Sequence, residues 1–252
     1  MGLSAVVATR YVTPLREGGS LPGLMEADDD GLYVVKFRGA GQGVKALVAE
    51  LLAGELARRL GLDVPELVLV ELDPALGRAE PDPEIQDLLD ASPGLNLGVD
   101  FLPGALSFDP ADGGDVVSPD LAAEIVWFDA LVANVDRTPR NPNLLLWHQR
   151  LWLIDHGAAV YHQHSSGDLV SQARTPFTAI GQHVLLAHAG SILDADQRLG
   201  PRIAAEMVQE LVALIPREWE EHPSDAYAAW LERRLAKPRV FAQEAEDART
   251  GQ

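Results

Sequence analysis

The hydrophobic period of this 252-residue chain changes once, and that change limits what it can become. Up to about residue 102 the apolar residues fall in short alternating or β-branched runs parted by Gly, Pro and Asp, which is strand patterning. Residues 1–15 alternate and carry Val6, Val7, Thr9, Val12 and Thr13; residues 24–27 and 32–37 follow turns at 17–23 and 28–31, which predicts an antiparallel meander. One long exception, residues 44–60, is dense in Leu, Ala, Glu and Arg and is stopped by Gly61 and Pro65, so it predicts a helix. Residues 67–72 and 95–102 read as further strands, with a short helix near 84–89 between them.

Beyond the acidic, glycine-rich stretch 103–118 the patterning is helical. Ser118 stands at an N-cap and Pro119 at the first helical position of a helix running to about residue 134. Residues 144–147 and 151–154 flank His148-Gln-Arg150 as a hairpin, and from Thr178 onward only helical patterns occur, parted near Gly190, Gly200, Pro216 and Pro223. The polar tail after Pro238 reads as a frayed end. The order predicts an α+β chain of two lobes: a small β-rich one with one main helix (1–104) and a mostly helical one (105–252), with a nucleotide-sized cleft between them.

Composition narrows the function. A formal charge of −18 argues against nucleic acid or an anionic membrane as partner, because the long-range field repels polyanions. No apolar run approaches the ~20 residues that span a bilayer, and residues 1–10 lack the basic start, apolar core and cleavage site of a signal peptide. With no cysteine, disulfides, thiolate metal sites and cysteine nucleophiles are excluded, and a reducing cytoplasmic setting fits. The cations are 3 Lys against 17 Arg, so Lys36, Lys45 and Lys237 each raise the question of why they are not arginine.

Phosphoryl transfer needs a cation on the phosphates, oxygen ligands on magnesium and an acid or base near the acceptor hydroxyl. Val135-Asp136-Arg-Thr-Pro-Arg-Asn141 supplies Asp and Asn five apart, and Asp155 follows 14 residues later, after the apolar run 151–154 and before His156-Gly157. By itself such spacing equally fits a turn after a helix, with Asp136 and Asn141 as turn formers. Two features move the balance. Of the 4 Asn in the chain, Asn134, Asn141 and Asn143 fall in this loop, and the hairpin between it and Asp155 returns both ends to one place.

Lys36 closes the apolar run 32–35, where an edge lysine would snorkel to water and a functional one would reach phosphates. Glu50 is the only charged residue between Lys45 and Glu55. A carboxylate in so apolar a run must find a partner, since leaving it buried and alone is costly. Glu55 competes for that role but has Arg58 and Arg59 beside it. Two glycine-rich segments, Gly18-Gly19-Ser20 after Glu17 and Gly39-x-Gly-x-Gly43, are candidates to cover phosphates or simply to turn; the first is favoured because it joins two strands ahead of Lys36. The histidines show no metal spacing beyond His162-x-His164, and no Gly-x-Ser-x-Gly elbow supports a serine hydrolase.

With these residues in place, the chain resembles the HipA-like kinases of the wider protein-kinase-like and phosphatidylinositol-kinase-like fold. The stretches that carry the likeness are Tyr33-Val-Val-Lys-Phe37, Leu47-Val-Ala-Glu50 running on to Leu60-Gly-Leu-Asp-Val-Pro65, Asn134-Val-Asp-Arg-Thr-Pro-Arg-Asn-Pro-Asn143, and Leu153-Ile-Asp-His-Gly157. The resemblance implies ATP and Mg2+ as cofactors, Lys36 and Glu50 positioning ATP, Asp136 serving the acceptor, and Asn141 with Asp155 holding magnesium. It also implies that Gly98-Val-Asp-Phe-Leu-Pro-Gly104 is the hinge where adenine docks, at Phe101 and Leu102. No His precedes Asp136, His156 stands where Phe is usual, and no Ala-Pro-Glu follows, all departures from the eukaryotic-type protein kinases. The acceptor, a protein hydroxyl or a small molecule, is not written in the sequence. A nucleotide-binding module without turnover and an enzyme that transfers AMP remain open beside the kinase.

Overall fold

The computed structural model describes residues 2–15, 21–41, 43–77, 81–112, 116–165 and 167–251. The glycine-rich segment Gly18-Gly19-Ser20 therefore lies outside the described residues.

Five strands, β1 (Ala5–Pro14), β2 (Gly23–Ala27), β3 (Leu32–Lys36), β4 (Leu67–Leu72) and β5 (Gly94–Asp100), form a closed barrel in the order β1-β2-β3-β5-β4. The expected meander is there in β1, β2 and β3. Closure was not expected and comes from a parallel pairing of β1 with β4, Ala5 to Leu69 through Val7 to Glu71. Alternation sends Tyr33 and Val35 inward with Met25, Val68, Val70 and Leu72, while Val34 packs on the outer face against the larger core. Gly98, opposite Val68 on β4, marks a tight place in the barrel wall. A Cβ there would lie 2.6 Å from Val70 Cγ2 and 2.8 Å from Val68 Cγ2.

Between β3 and β4 runs α1 (Gly43–Leu60), which buries Leu47, Val48, Leu51, Leu56 and Leu60 and ends on Gly61 in the left-handed region at φ +86°. A short α2 (Pro83–Asp90), N-capped by Asp82, adds Ile85 and Leu89 to the barrel core.

The remainder is built around α3 (Pro119–Val132). Ser118 accepts a hydrogen bond from Leu121 N at 3.2 Å, the N-cap read from the sequence. From Ala122 to Val132 α3 is almost wholly buried, with α4 (Ile192–Leu199) and α7 (Val240–Thr250) packed on it. Strands β6 (Leu106–Ser107), β7 (Leu144–Trp147) and β8 (Arg150–Leu153) make a second small sheet; β6 lies in a stretch read as loop. Helices α5 (Ala205–Val212) and α6 (Ser224–Leu235) complete the set.

Two expectations need correction. Residues 178–182 and 186–188 form 3-10 turns rather than α-helix. The tail after Pro238 is a helix, not a frayed end: Phe241, Ala242 and Ala245 are buried, and the Phe241 ring lies 5.6 Å from that of Trp127. Burial on α3 outweighs the polar composition of the tail. Among the described residues no helix is long and apolar enough to cross a membrane.

Candidate active site

Lys36 ends β3, on the same face of the strand as Val34, and Glu50 projects from α1. Lys36 Nζ lies 2.5 Å from Glu50 Oε2 and 2.6 Å from Asp155 Oδ1. Glu50 is 1% exposed, whereas Glu55 is partly exposed and pairs with Arg58 at 3.4 Å. Burial alone would lower the Lys36 pKa; the charges of Glu50 and Asp155 outweigh it and hold the ammonium above its ordinary range. Burial likewise pushes the Glu50 carboxyl up, but Lys36 overcomes it and keeps Glu50 ionised below the usual carboxylate range.

Asp155 follows β8 and sits in the left-handed region at φ +54°, an uncommon conformation for a residue with a side chain. The loop that faces it leaves α3 through Ala133, itself left-handed at φ +52°. Inside that loop Asn141 Nδ2 donates to Asp136 Oδ2 at 2.8 Å, and Thr138 and Asn141 exchange backbone hydrogen bonds at 3.0 and 3.1 Å. Burial, and then the charge of Asp155, raise the Asp136 carboxyl above its ordinary range, with Asn141 pulling the other way.

The structure thus brings Lys36, Glu50 and Asp155 into direct contact, and Asp136 with Asn141, close enough to Asp155 to feel its charge. Phe101 and Leu102 follow β5, where Phe101 N donates to Leu32 O at 2.9 Å. Leu102 lines a groove with Trp147 and Trp152. The second glycine segment is bonded down: Gly39 N donates to Ser92 Oγ and Arg38 N to Asn96 Oδ1.

The sequence matches the HipA-like kinase family over residues 9–237. The chain belongs to that family. The fold is similar to a solved structure of a Helicobacter pylori proinflammatory kinase, CtkA, with a TM-score of 0.56 and 13% identity over 94% of this chain and 96% of that one. At such identity the likeness concerns the fold alone. No curated protein sequence matches this chain.

In this member of the family the residues that sequence reasoning passed over lie directly behind the loop. Asp129, fully buried on α3, accepts hydrogen bonds from Arg137 Nε at 2.5 Å and Asn134 Nδ2 at 3.0 Å, and lies 2.9 Å from His183 Nε2. Burial would raise its carboxyl; the charge of Arg137 and the hydrogen bond of His183 outweigh that and hold it far below the usual range. The signal was available, since Asp129 is the only charged residue between Glu124 and Asp136, as Glu50 is in its own run. His156 is also fully buried, its ring edge-on to Phe128 and its Nδ1 3.6 Å from Glu50 Oε1, beyond hydrogen-bond reach.

The oxygen groups present suit magnesium. Among the described residues no cluster of three or more His, Asp or Glu would cage a metal unaided. Magnesium typically takes one or two protein oxygens and completes its shell with water and substrate phosphates. With Asn141 Nδ2 turned to Asp136, its Oδ1 would be available to a metal, as would the partly exposed Asp155 carboxylate.

Proposed function

We propose that this protein is an ATP- and magnesium-dependent phosphotransferase whose acceptor is an alcohol, working as two lobes, residues 1–104 and 105–252. The observation that carries the proposal is the meeting of Lys36, Glu50 and Asp155 within 2.6 Å of one ammonium, from a strand, a helix and a hairpin end. A lysine so held is a fixed cation for the α- and β-phosphates, and Glu50 keeps it aimed. Asp136, with its carboxyl raised and fixed by Asn141, is suited to orient the acceptor hydroxyl and take its proton. Magnesium bound by Asn141 and Asp155 would neutralise phosphate charge as the bond breaks. Phe101 and Leu102 are proposed to border the adenine, and Gly18, Gly19 and Ser20 to cover the phosphates.

Parallel incubations with γ-labelled and α-labelled ATP test the reading. Transfer of the γ label alone, to the protein or to an added hydroxyl acceptor, is the expected result. Transfer of the α label would make the enzyme an AMP transferase. Nucleotide binding with neither label transferred would make the chain a module without turnover.

A further inference from the structure

We infer that Arg137 is a positioning residue that sets the spacing of Asp136, Asn141 and Asp155, and that Asp129 and His183 hold it in place. The inference rests on the phosphotransfer reading above, because it concerns the residues given roles there. Arg137 is 1% exposed, although it belongs to a loop that also holds the exposed Pro139 and Arg140. Its Nε and Nη2 meet the two carboxylate oxygens of Asp129 at 2.5 and 3.5 Å. Its Nη1 donates to the carbonyl oxygens of Asn143 and, at 3.3 Å, Ile154. Its own carbonyl accepts from Val184 N at 3.0 Å.

These attachments fall beside the chemistry. Arg137 follows Asp136, Asn143 lies two residues after Asn141, and Ile154 immediately precedes Asp155. A further bond, Ile154 N to Asn143 O at 3.1 Å, ties the two acceptor segments to each other. One planar guanidinium thus fixes three chain segments relative to α3. A lysine, with a single ammonium on a flexible stem, would satisfy Asp129 without spanning both carbonyls. The holder is itself fixed. Leu185 N donates to His183 Nδ1 at 3.1 Å, so Nδ1 carries the lone pair and Nε2 carries the hydrogen given to Asp129.

The test compares wild type, Arg137→Lys and Asp129→Asn by three measurements: thermal melting, ADP affinity in EDTA by calorimetry, and Mn2+ affinity in the presence of ADP by electron paramagnetic resonance. Changes behind metal ligands commonly cost 10–100-fold in metal affinity. Both variants should therefore weaken Mn2+ binding about 10-fold or more while metal-free ADP affinity stays within about threefold. Where Arg137→Lys fails to fold, Asp129→Asn carries the comparison. Wild-type Mn2+ affinity in a folded variant would overturn the inference. Parallel loss of melting temperature, metal-free ADP and Mn2+ would overturn it too, by making the network a general support of the fold. Failure of the wild type to bind Mn2+ with ADP would instead defeat the phosphotransfer reading on which the inference stands.

Discussion

Lys36 and Asp155, 119 residues apart in the chain, touch at 2.6 Å. The lysine is therefore the partner of one oxygen of the carboxylate proposed to take magnesium. Asp155 is partly exposed, and its loss should change the stability of the ligand-free protein by no more than about 1 kcal/mol. Asp155→Ala should abolish the magnesium-dependent part of the rise in melting temperature caused by ATP, leaving the magnesium-independent part. Scanning calorimetry with ATP in magnesium and in EDTA reads both. A full magnesium response in Asp155→Ala would remove that residue from the metal.

Asp136 is proposed to serve the acceptor rather than the nucleotide. Asp136→Asn preserves the shape of the loop and should keep ATP affinity within a few-fold while lowering the transfer rate by roughly 10² or more. Binding and single-turnover rates measured on one preparation separate the two effects. Equal losses in both would move Asp136 onto the metal.

Glu50 gives a pH dependence of stability with a definite sign. Its folded-state pKa is depressed, so the unfolded chain takes up the proton first as pH falls through the ordinary glutamate value of ~4.3. The stability due to ionised Glu50 is complete above that value and is lost as the pH falls below it toward the folded pKa. Glu50→Gln should be destabilised by about 1–3 kcal/mol at pH 7, less than for a fully orphaned buried lysine because Asp155 still faces Lys36. The gap from wild type should narrow below about pH 4. Urea melts at pH 7, 5 and 3 measure it, and a gap that widens toward pH 3 would contradict the assigned direction.

Trp219 ties the helical part to the barrel. Its side chain is buried and its Nε1 donates to Leu95 O at 3.0 Å, while neighbouring Glu218 accepts from Arg38 Nη1 and Leu95 N. Trp219→Ala should cost about 3–5 kcal/mol, as truncation of a buried aromatic does. Trp219→Phe should cost distinctly less, because it keeps most of the ring and loses the hydrogen bond. Chemical denaturation of the two variants gives the comparison.

What was legible in the sequence was local. Lys36 and Glu50 stood out because each is a lone charge in an apolar run, and burial forces such charges to find partners. The N-cap at Ser118 was legible because it is decided within four residues. Barrel closure was not, since the β1–β4 pairing joins segments more than sixty residues apart with no local mark. Residues 170–174, 178–182 and 186–188 resisted for another reason: their 3-10 turns have no sustained period to detect, and packing on α6 for the first, and on α3 and α7 for the others, sets their path. Asp129 was legible by the rule that found Glu50, but its partner Arg137 lies in a loop, where a charged residue ordinarily means exposure.

A ring of five strands has no loose side. Zipped to β2 on one flank and to β5 on the other, β3 cannot slide by a residue without opening two ladders and turning Lys36 to the wrong face. The lysine is therefore the stationary member of its trio. A change in the trio would have to come from α1, which brings Glu50, because Asp155 follows Ile154, which Arg137 and Asn143 already tie down. A regulator of such a site would find its handle on that helix, and none on the strand that carries the cation.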